Sequence, residues 1–397
     1  MKMFEIISLK NGLDNVDGFY SGGVNCGLKK EGNDLAFIRS ELPCKVSALF
    51  TTNKFQAAPI KHFKKYPENF ESNFVLINSK NANALTGKKG VNDIEEILQT
   101  LKETNKDILN PIMSSTGVIG YRLPKEKIAD GIKKFDFNAK KSVEAANAIL
   151  TTDTFKKEIC FKVVLNNGNY FHIAAIAKGA GMINPQMATM LCFIATDANI
   201  EKEDMDKLLK EAVDESFNKI SVDGDTSTND TVMLLANGKS GVYDKEAFSF
   251  ALKRLTQELS LQILKDGEGS TKVVAFEVKN AKSKEDAKKA SGMLSNSLLV
   301  KTALFGEDPN WGRIASTIGA SGIECDEEKL TISYDNITVY SPEVPQMDEE
   351  LEKKAQKVLQ KDEFKIVCDL NVGTHSFTSF GCDLSYEYVK INADYRT

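Results

Sequence analysis

Histidine is scarce in this chain: His62, His172 and His375 are the only three in 397 residues. They lie far apart, and none pairs with a cysteine or carboxylate at ligand spacing. A zinc site is therefore not expected, and no metal-binding residues are assigned. The same scarcity leaves a Ser-His-Asp or Cys-His mechanism little to build on, short of a distant histidine folding in. Acyl-transfer chemistry here needs another base. Cysteine motifs are missing as well. The seven cysteines, Cys26, Cys44, Cys160, Cys192, Cys325, Cys368 and Cys382, are odd in number and widely scattered, with no Cys-x-x-Cys. A reduced, cytoplasmic thiol set is the reading. Residues 1–20 lack a signal peptide's apolar core, because Glu5, Lys10 and Asp14 interrupt it. No stretch approaches the roughly twenty apolar residues of a membrane span. Net positive charge is absent too: the formal charge is -5, so no basic surface for nucleic acid is implied. What is present is ordinary for a soluble globular protein, with 42% hydrophobic and 27% charged residues. The length is enough for a large core in two to three lobes.

The chain is organised around residues 176–197. An apolar run rich in strand formers, Tyr170 to Ala177, enters a turn of small residues: Gly179, Ala180, Gly181, Asn184 and Pro185. A second apolar run, Met190 to Ala195, leaves it. The pattern predicts strand, tight turn, strand. Lys178 opens the turn, and Thr189 stands where the exit strand begins, behind small Ala188. Gly179-x-Gly181 after a strand invites a dinucleotide reading. That reading fails, because the third small residue is replaced by Asn184, Pro185 follows, and no helix comes next. A buried structural turn with an ordinary strand threonine is the plain alternative.

Elsewhere the pattern alternates strands with helices, which predicts a mixed α/β (α+β) fold. Strands are expected at residues 34–38, 44–53, 74–78, 158–165, 169–177, 273–278, 330–334, 337–340, 364–370 and 381–391. Helices are expected at 92–106, 124–135, 142–150, 201–220, 248–264, 283–302 and 348–359. Pro111 to Gly120 reads as a strand running into a Ser/Thr/Gly turn, where glycine lets the backbone approach a ligand closely. Ser221 to Asp230 is acidic and hydroxyl-rich. As a calcium loop it fails, because Leu234 stands where the closing glutamate belongs. A polar loop lining a site is the better reading. Gly238-Lys-Ser240 is no P-loop, because Met233 stands where a glycine is required.

The segment Lys178-Gly-Ala-Gly-Met-Ile-Asn-Pro-Gln-Met-Ala-Thr-Met-Leu191 resembles the signature of the ornithine acetyltransferase family, also called glutamate N-acetyltransferase. Matching segments run from near residue 20 to the last residue. They include Ala48-Leu-Phe-Thr-Thr-Asn53, Ser79 to Gly87, Phe305 to Arg313 with the only tryptophan, and Asn392 to Thr397. The resemblance implies an N-terminal-nucleophile enzyme of arginine biosynthesis with layered β-sheets flanked by helices. Its precursor would cut its own Ala188–Thr189 bond. Residues 1–188 and 189–397 would then be fragments of an α2β2 assembly. It implies Thr189 as nucleophile and Thr116 with Gly117 as oxyanion hole. It implies Thr151, Lys178, Thr189, Glu268, Asn392 and Thr397 as substrate ligands, with Thr152 the alternative to Thr151. For Phe305 to Arg313 a structural anchoring role is expected, with no catalytic one.

The chemistry suits a chain poor in histidine. A threonine hydroxyl alone is a weak nucleophile, and in the uncut chain Thr189 carries only an amide nitrogen. Cleavage creates an α-amine with a pKa of roughly 8. That base is attached to the nucleophile itself. The resemblance names N2-acetyl-L-ornithine as acetyl donor and L-glutamate as acceptor, with ping-pong kinetics. No permanently bound cofactor is expected. Whether acetyl-CoA also serves as donor is left open. Two rivals remain at this level: an N-terminal-nucleophile amidase or aminopeptidase that uses water as acceptor, and a non-catalytic amino-acid-binding protein.

Overall fold

A computed structural model describes residues 4–184, 190–344 and 346–394. The chain divides into two compact units. The first takes in Met1–Gly179, Gln186–Asn218 and Thr226–Ile263, and the second Ala180–Pro185, Lys219–Asp225 and Leu264–Thr397. Neither coincides with the fragments 1–188 and 189–397 that the expected cleavage would give.

In the first unit the chain runs β1 (Phe4–Leu9), β2 (Phe19–Val24), β3 (Leu35–Phe50), α1 (Ala58–Phe63), β4 (Glu71–Asn78), α2 (Gly87–Thr104) and β5 (Ile112–Ser115). It continues through α3 (Lys125–Ile132), α4 (Ser142–Ala148), β6 (Lys157–Leu165), β7 (Tyr170–Lys178), β8 (Leu191–Thr196), α5 (Lys202–Asp214), β9 (Thr231–Ala236) and most of α6 (Lys245–Lys265). The strands form one sheet in the order β1-β6-β7-β8-β9-β3-β4-β5, with β2 also paired to β3. Side chains of a strand alternate between its two faces. In β4, Val75 and Ile77 enter one apolar cluster with Ala145, Ala146 and Ala148 of α4. Phe74 and Leu76 enter another with Ile94, Ile97, Leu98 and Leu101 of α2. Such burial stabilises by roughly 1.5–3 kcal/mol per large side chain. The central strands β8 and β9 are buried along their whole length, which suits their apolar runs Leu191–Ala195 and Val232–Ala236.

The second unit holds β10 (Val273–Ala281), α7 (Lys284–Asn296), α8 (Leu298–Phe305), α9 (Trp311–Gly319), β11 (Thr331–Tyr334), β12 (Ile337–Tyr340), α10 (Glu349–Leu359), β13 (Glu363–Asp369), β14 (His375–Cys382) and α11 (Tyr386–Ala393). Its sheet order is β12-β11-β13-β10-β14. A core of Val274, Phe276, Leu294, Ile314, Ile332 and Ile366 joins that sheet to its helices. Trp311 stacks on Tyr340 with ring centroids 4.4 Å apart, so it anchors structure as expected. Among the described residues no helix is long and apolar enough to cross a membrane.

The mixed α/β class and the sheets flanked by helices match the sequence reading. Four expectations need correction. Residues 34–38 and 44–53 are not separate strands. Residues 35–38 and 44–50 belong to one 16-residue strand, β3, which ends before 51–53 and whose pairing with β4 shifts register between Arg39 and Cys44. The helix expected over 201–220 stops at Asp214, and a short 3-10 turn covers Phe217–Lys219. There the Ser216 hydroxyl turns back to donate to the Ala212 carbonyl at 2.6 Å, competing with helix continuation. The helix expected over 283–302 is broken at Ser297. Its backbone is extended and its hydroxyl caps α8. Residues 381–391 are not a strand: β14 ends at Cys382 and α11 follows.

Candidate active site

Three neighbouring strands of the first unit bring the central stretch to one place. β7 runs antiparallel to β8, and β8 runs parallel to β9. In register, Lys178 faces Leu191, and Leu191 faces Thr231. The end of β7 therefore lies beside the starts of β8 and β9. Ala188 and Thr189, the proposed scissile pair, lie outside the described residues, as does Thr397.

Lys178 is the last residue of β7 and is buried. Its Nζ lies 3.9 Å from Asp153 Oδ2. Asp153 is fully buried in the loop between α4 and β6, and its Oδ1 accepts Lys157 Nζ at 2.8 Å and the Gly179 N–H at 2.7 Å. Burial alone would raise this carboxyl; Lys178 and Lys157 more than offset it and hold its pKa at about 2. Thr151 is half-buried in the same loop and donates its N–H to Asp153 Oδ2 at 3.0 Å.

Thr116 and Gly117 follow β5. Gly117 has φ +132, and a Cβ there would meet the Lys80 carbonyl carbon at 2.1 Å, so only glycine fits. The Thr116 N–H is spent on the Asn78 carbonyl at 3.0 Å. Among the described residues neither the Thr116 hydroxyl nor the Gly117 N–H donates a hydrogen bond, so both donors are available to a ligand. Asn229 ties this strand end to the loop before β9, donating to the carbonyls of Ser115 at 2.8 Å and Ala82 at 2.6 Å.

Sequence reasoning missed Asp230, although it lies in the acidic loop singled out above. Asp230 is completely buried and precedes β9. Its Oδ1 accepts the Met190 N–H at 3.1 Å, whereas its Oδ2 has no partner among the described residues. Burial pushes its pKa well above the usual carboxylate range, against the pull of Met190 and Lys178. The signal was a carboxylate placed just before the apolar run Val232–Ala236. Asp153 was missed as well. It appeared in the sequence only as part of a capping turn.

Glu268 and Asn392 lie in the second unit. Glu268 is in the turn after α6, its N–H bonded to the Ala180 carbonyl at 2.8 Å. Asn392 Nδ2 donates to Glu268 Oε2 at 2.8 Å. A Cβ on Gly181 would meet the Glu268 carboxylate at 2.5 Å, so that carboxylate requires glycine at 181. One turn before Asn392, the Tyr388 hydroxyl reaches Asp223 Oδ2 at 3.2 Å. Asp223 also accepts the N–H groups of Met182 at 2.6 Å and Ile183 at 2.9 Å. Burial and the Asp223 charge both raise the Tyr388 phenol, which stays a neutral donor.

Histidine behaves differently from expectation in one place. His172 Nδ1 lies 2.8 Å from Asp197 Oδ2, a carboxylate 25 residues away. Asp17 stands close enough to complete a three-residue cluster. Asp197 already accepts the N–H groups of His172 at 2.6 Å and Asp17 at 3.2 Å. This cluster clasps the start of β7 to the segment after β8.

Comparison with known proteins follows the same lines. The ArgJ family model matches residues 20–397. A Wolinella succinogenes protein named arginine biosynthesis bifunctional protein ArgJ is 56% identical over 396 residues, covering 100% of both chains. A Methanocaldococcus jannaschii protein named glutamate N-acetyltransferase is 44% identical over 409 residues, covering 98% of this chain and 99% of its own. A crystal structure of arginine biosynthesis bifunctional protein ArgJ from Bacillus halodurans is 32% identical with a TM-score of 0.44, covering 48% of this chain and 100% of the solved one. On a family match spanning residues 20–397, this chain belongs to the ArgJ family.

Proposed function

We propose that this chain moves the acetyl group of N2-acetyl-L-ornithine to L-glutamate in arginine biosynthesis, through an acetyl ester on Thr189. The observation that carries the reading is identity along the whole chain: 44% to a protein named glutamate N-acetyltransferase and 56% to one named for arginine biosynthesis. The precursor cuts itself between Ala188 and Thr189, giving fragments 1–188 and 189–397, and the freed α-amine is the base. Thr189 Oγ attacks the acetyl carbonyl, and the amine takes the hydroxyl proton. Thr116 and Gly117 stabilise the oxyanion. The proton passes to the leaving α-nitrogen, and ornithine departs. Glutamate then attacks the ester and leaves as N-acetylglutamate, restoring the Thr189 hydroxyl. Lys178 binds the substrate α-carboxylate, and Glu268, held by Asn392, binds the ornithine δ-ammonium. Thr151 and Thr397 complete the substrate contacts. The uncommitted donors at Thr116 and Gly117 and the buried Lys178 ammonium support these roles.

No cofactor is held permanently in this cycle. Acetyl-CoA serves as a second donor, a reading supported by the word bifunctional in the names of several relatives. The fragments assemble as α2β2 in the cytoplasm. The test is steady-state kinetics with both substrates varied. Parallel double-reciprocal lines are expected of a ping-pong cycle. Intersecting lines would rule the cycle out, and release of acetate in place of acetylglutamate would make the protein an amidase.

A further inference from the structure

Asp153 has no role in the cycle above, yet it joins three parts of the first unit: Thr151, Lys157 and the end of β7. We propose that Asp153, together with Lys157, is the positioning device for Lys178, fixing its ammonium as the charge that selects substrates bearing a free α-carboxylate. The inference rests on the reading that Lys178 binds that carboxylate.

The argument is one of charge and hydrogen bonds. One carboxylate between two lysines leaves one positive charge over. Lys157, fully buried, takes the short bond to Asp153 and also donates to the Phe155 carbonyl at 3.3 Å. Lys178 is left with the long 3.9 Å approach and, among the described residues, donates no hydrogen bond. It therefore keeps both charge and donors for a ligand. Its surroundings are rich in cations. Lys29 adds like charge beside Lys178, with Lys80 and Asp34 acting on Lys29 in turn, and Asp230 adds an acidic group. Burial is the main force lowering the Lys29 pKa, and Lys80 and Lys178 lower it further. Burial disfavours a charged ammonium. Without Asp153, Lys157 and Lys178 repel each other, and no carboxylate holds the Lys178 ammonium at the end of β7. A substrate carboxylate pairs with the ammonium that Asp153 and Lys157 leave over. A ligand lacking that carboxylate does not.

The test compares KM for acetylornithine across pH 6–9 in the wild type and in Asp153→Asn, Lys157→Met, the double variant and Lys178→Met. Asp153→Asn is expected to raise KM by about tenfold or more, with a smaller change in kcat. The double variant removes the competing cation and brings KM back toward wild type. Lys157→Met alone leaves Asp153 to neutralise Lys178 and raises KM severalfold with no new pH dependence. This arm reads the proposal independently if Asp153→Asn folds poorly. A wild-type KM in Asp153→Asn, a loss confined to kcat, or an unchanged KM in Lys157→Met would overturn the inference, provided Lys178→Met raises KM. If Lys178→Met leaves KM unchanged, the carboxylate-binding role of Lys178 is itself wrong, and this inference falls with it.

Discussion

The Thr116 hydroxyl, buried and bonded to no described group, can be removed at little cost to the fold. Thr116→Ala should therefore lower kcat by about a hundredfold to a thousandfold, the usual loss for one oxyanion donor. The melting temperature, read by calorimetry, should stay within a degree or two. Gly117→Ala is different in kind, because its Cβ would collide with the Lys80 backbone. Both activity and melting temperature should fall. Asp230 makes a prediction about pH. Its carboxyl is raised by burial, so the folded state favours the protonated form. The cost of keeping Asp230 is absent below the unfolded pKa of about 4 and grows as pH rises toward the folded value. Asp230→Asn should raise the melting temperature at pH 8 and leave it near wild type at pH 4. Asp153 has the opposite sign. Its folded pKa is lowered to about 2, so its contribution is complete above about 4 and is lost as pH falls toward 2.

At the scale of elements, α11 is the instructive case. Tyr388 and Asn392 stand four residues apart, so a helix puts both on one face. One reaches Asp223 and the other Glu268. Asn392→Ala removes a hydrogen bond to a charged carboxylate, an interaction of about 1.5–3 kcal/mol. The KM for acetylornithine should rise by roughly tenfold or more, with the larger effect in KM rather than kcat. The sequence could not reveal α11, because Leu384, Tyr386 and Tyr388 alternate as in a strand. Moreover, Tyr386 and Val389 are 84% and 65% exposed, so no apolar stripe marks the helix. The pairing of β7 with β8 was legible for the opposite reason: two apolar runs buried on both faces flank a stretch of small residues. Gly117 was legible as a glycine beside a hydroxyl, but its collision with Lys80 needed the fold. The Asp153–Lys178 cluster was not legible, because 25 residues separate the two and no local spacing links them. Ser297 was hidden inside an otherwise helical pattern, and only its extended backbone shows that one helix is two.

On the scale of the whole molecule, the cut proposed at Ala188–Thr189 does not fall between the two compact units. Within the first unit β7, from the earlier fragment, pairs along its length with β8, from the later one. The cleaved protein should therefore elute from a native sizing column as one species and separate only in denaturant. The cysteines give a second whole-molecule readout. Six of the seven are buried and Cys325 is exposed, and all are free thiols. Burial pushes the Cys44, Cys160 and Cys368 thiols up to about 12. A thiol-alkylating reagent should label one site per chain within minutes in native buffer and the rest only after unfolding. The central claim is that Thr189 is the self-freed nucleophile that carries the acetyl group. Intact mass under denaturing conditions tests it most directly, on protein as purified, after acetylornithine, and after glutamate is added. The account predicts two fragments meeting at Ala188–Thr189, with residues 189–397 gaining one acetyl group and then losing it to glutamate. Thr189→Ala should remain a single unmodified chain. A wild-type chain that transfers acetyl groups while uncut, or acetyl found on residues 1–188, would contradict it.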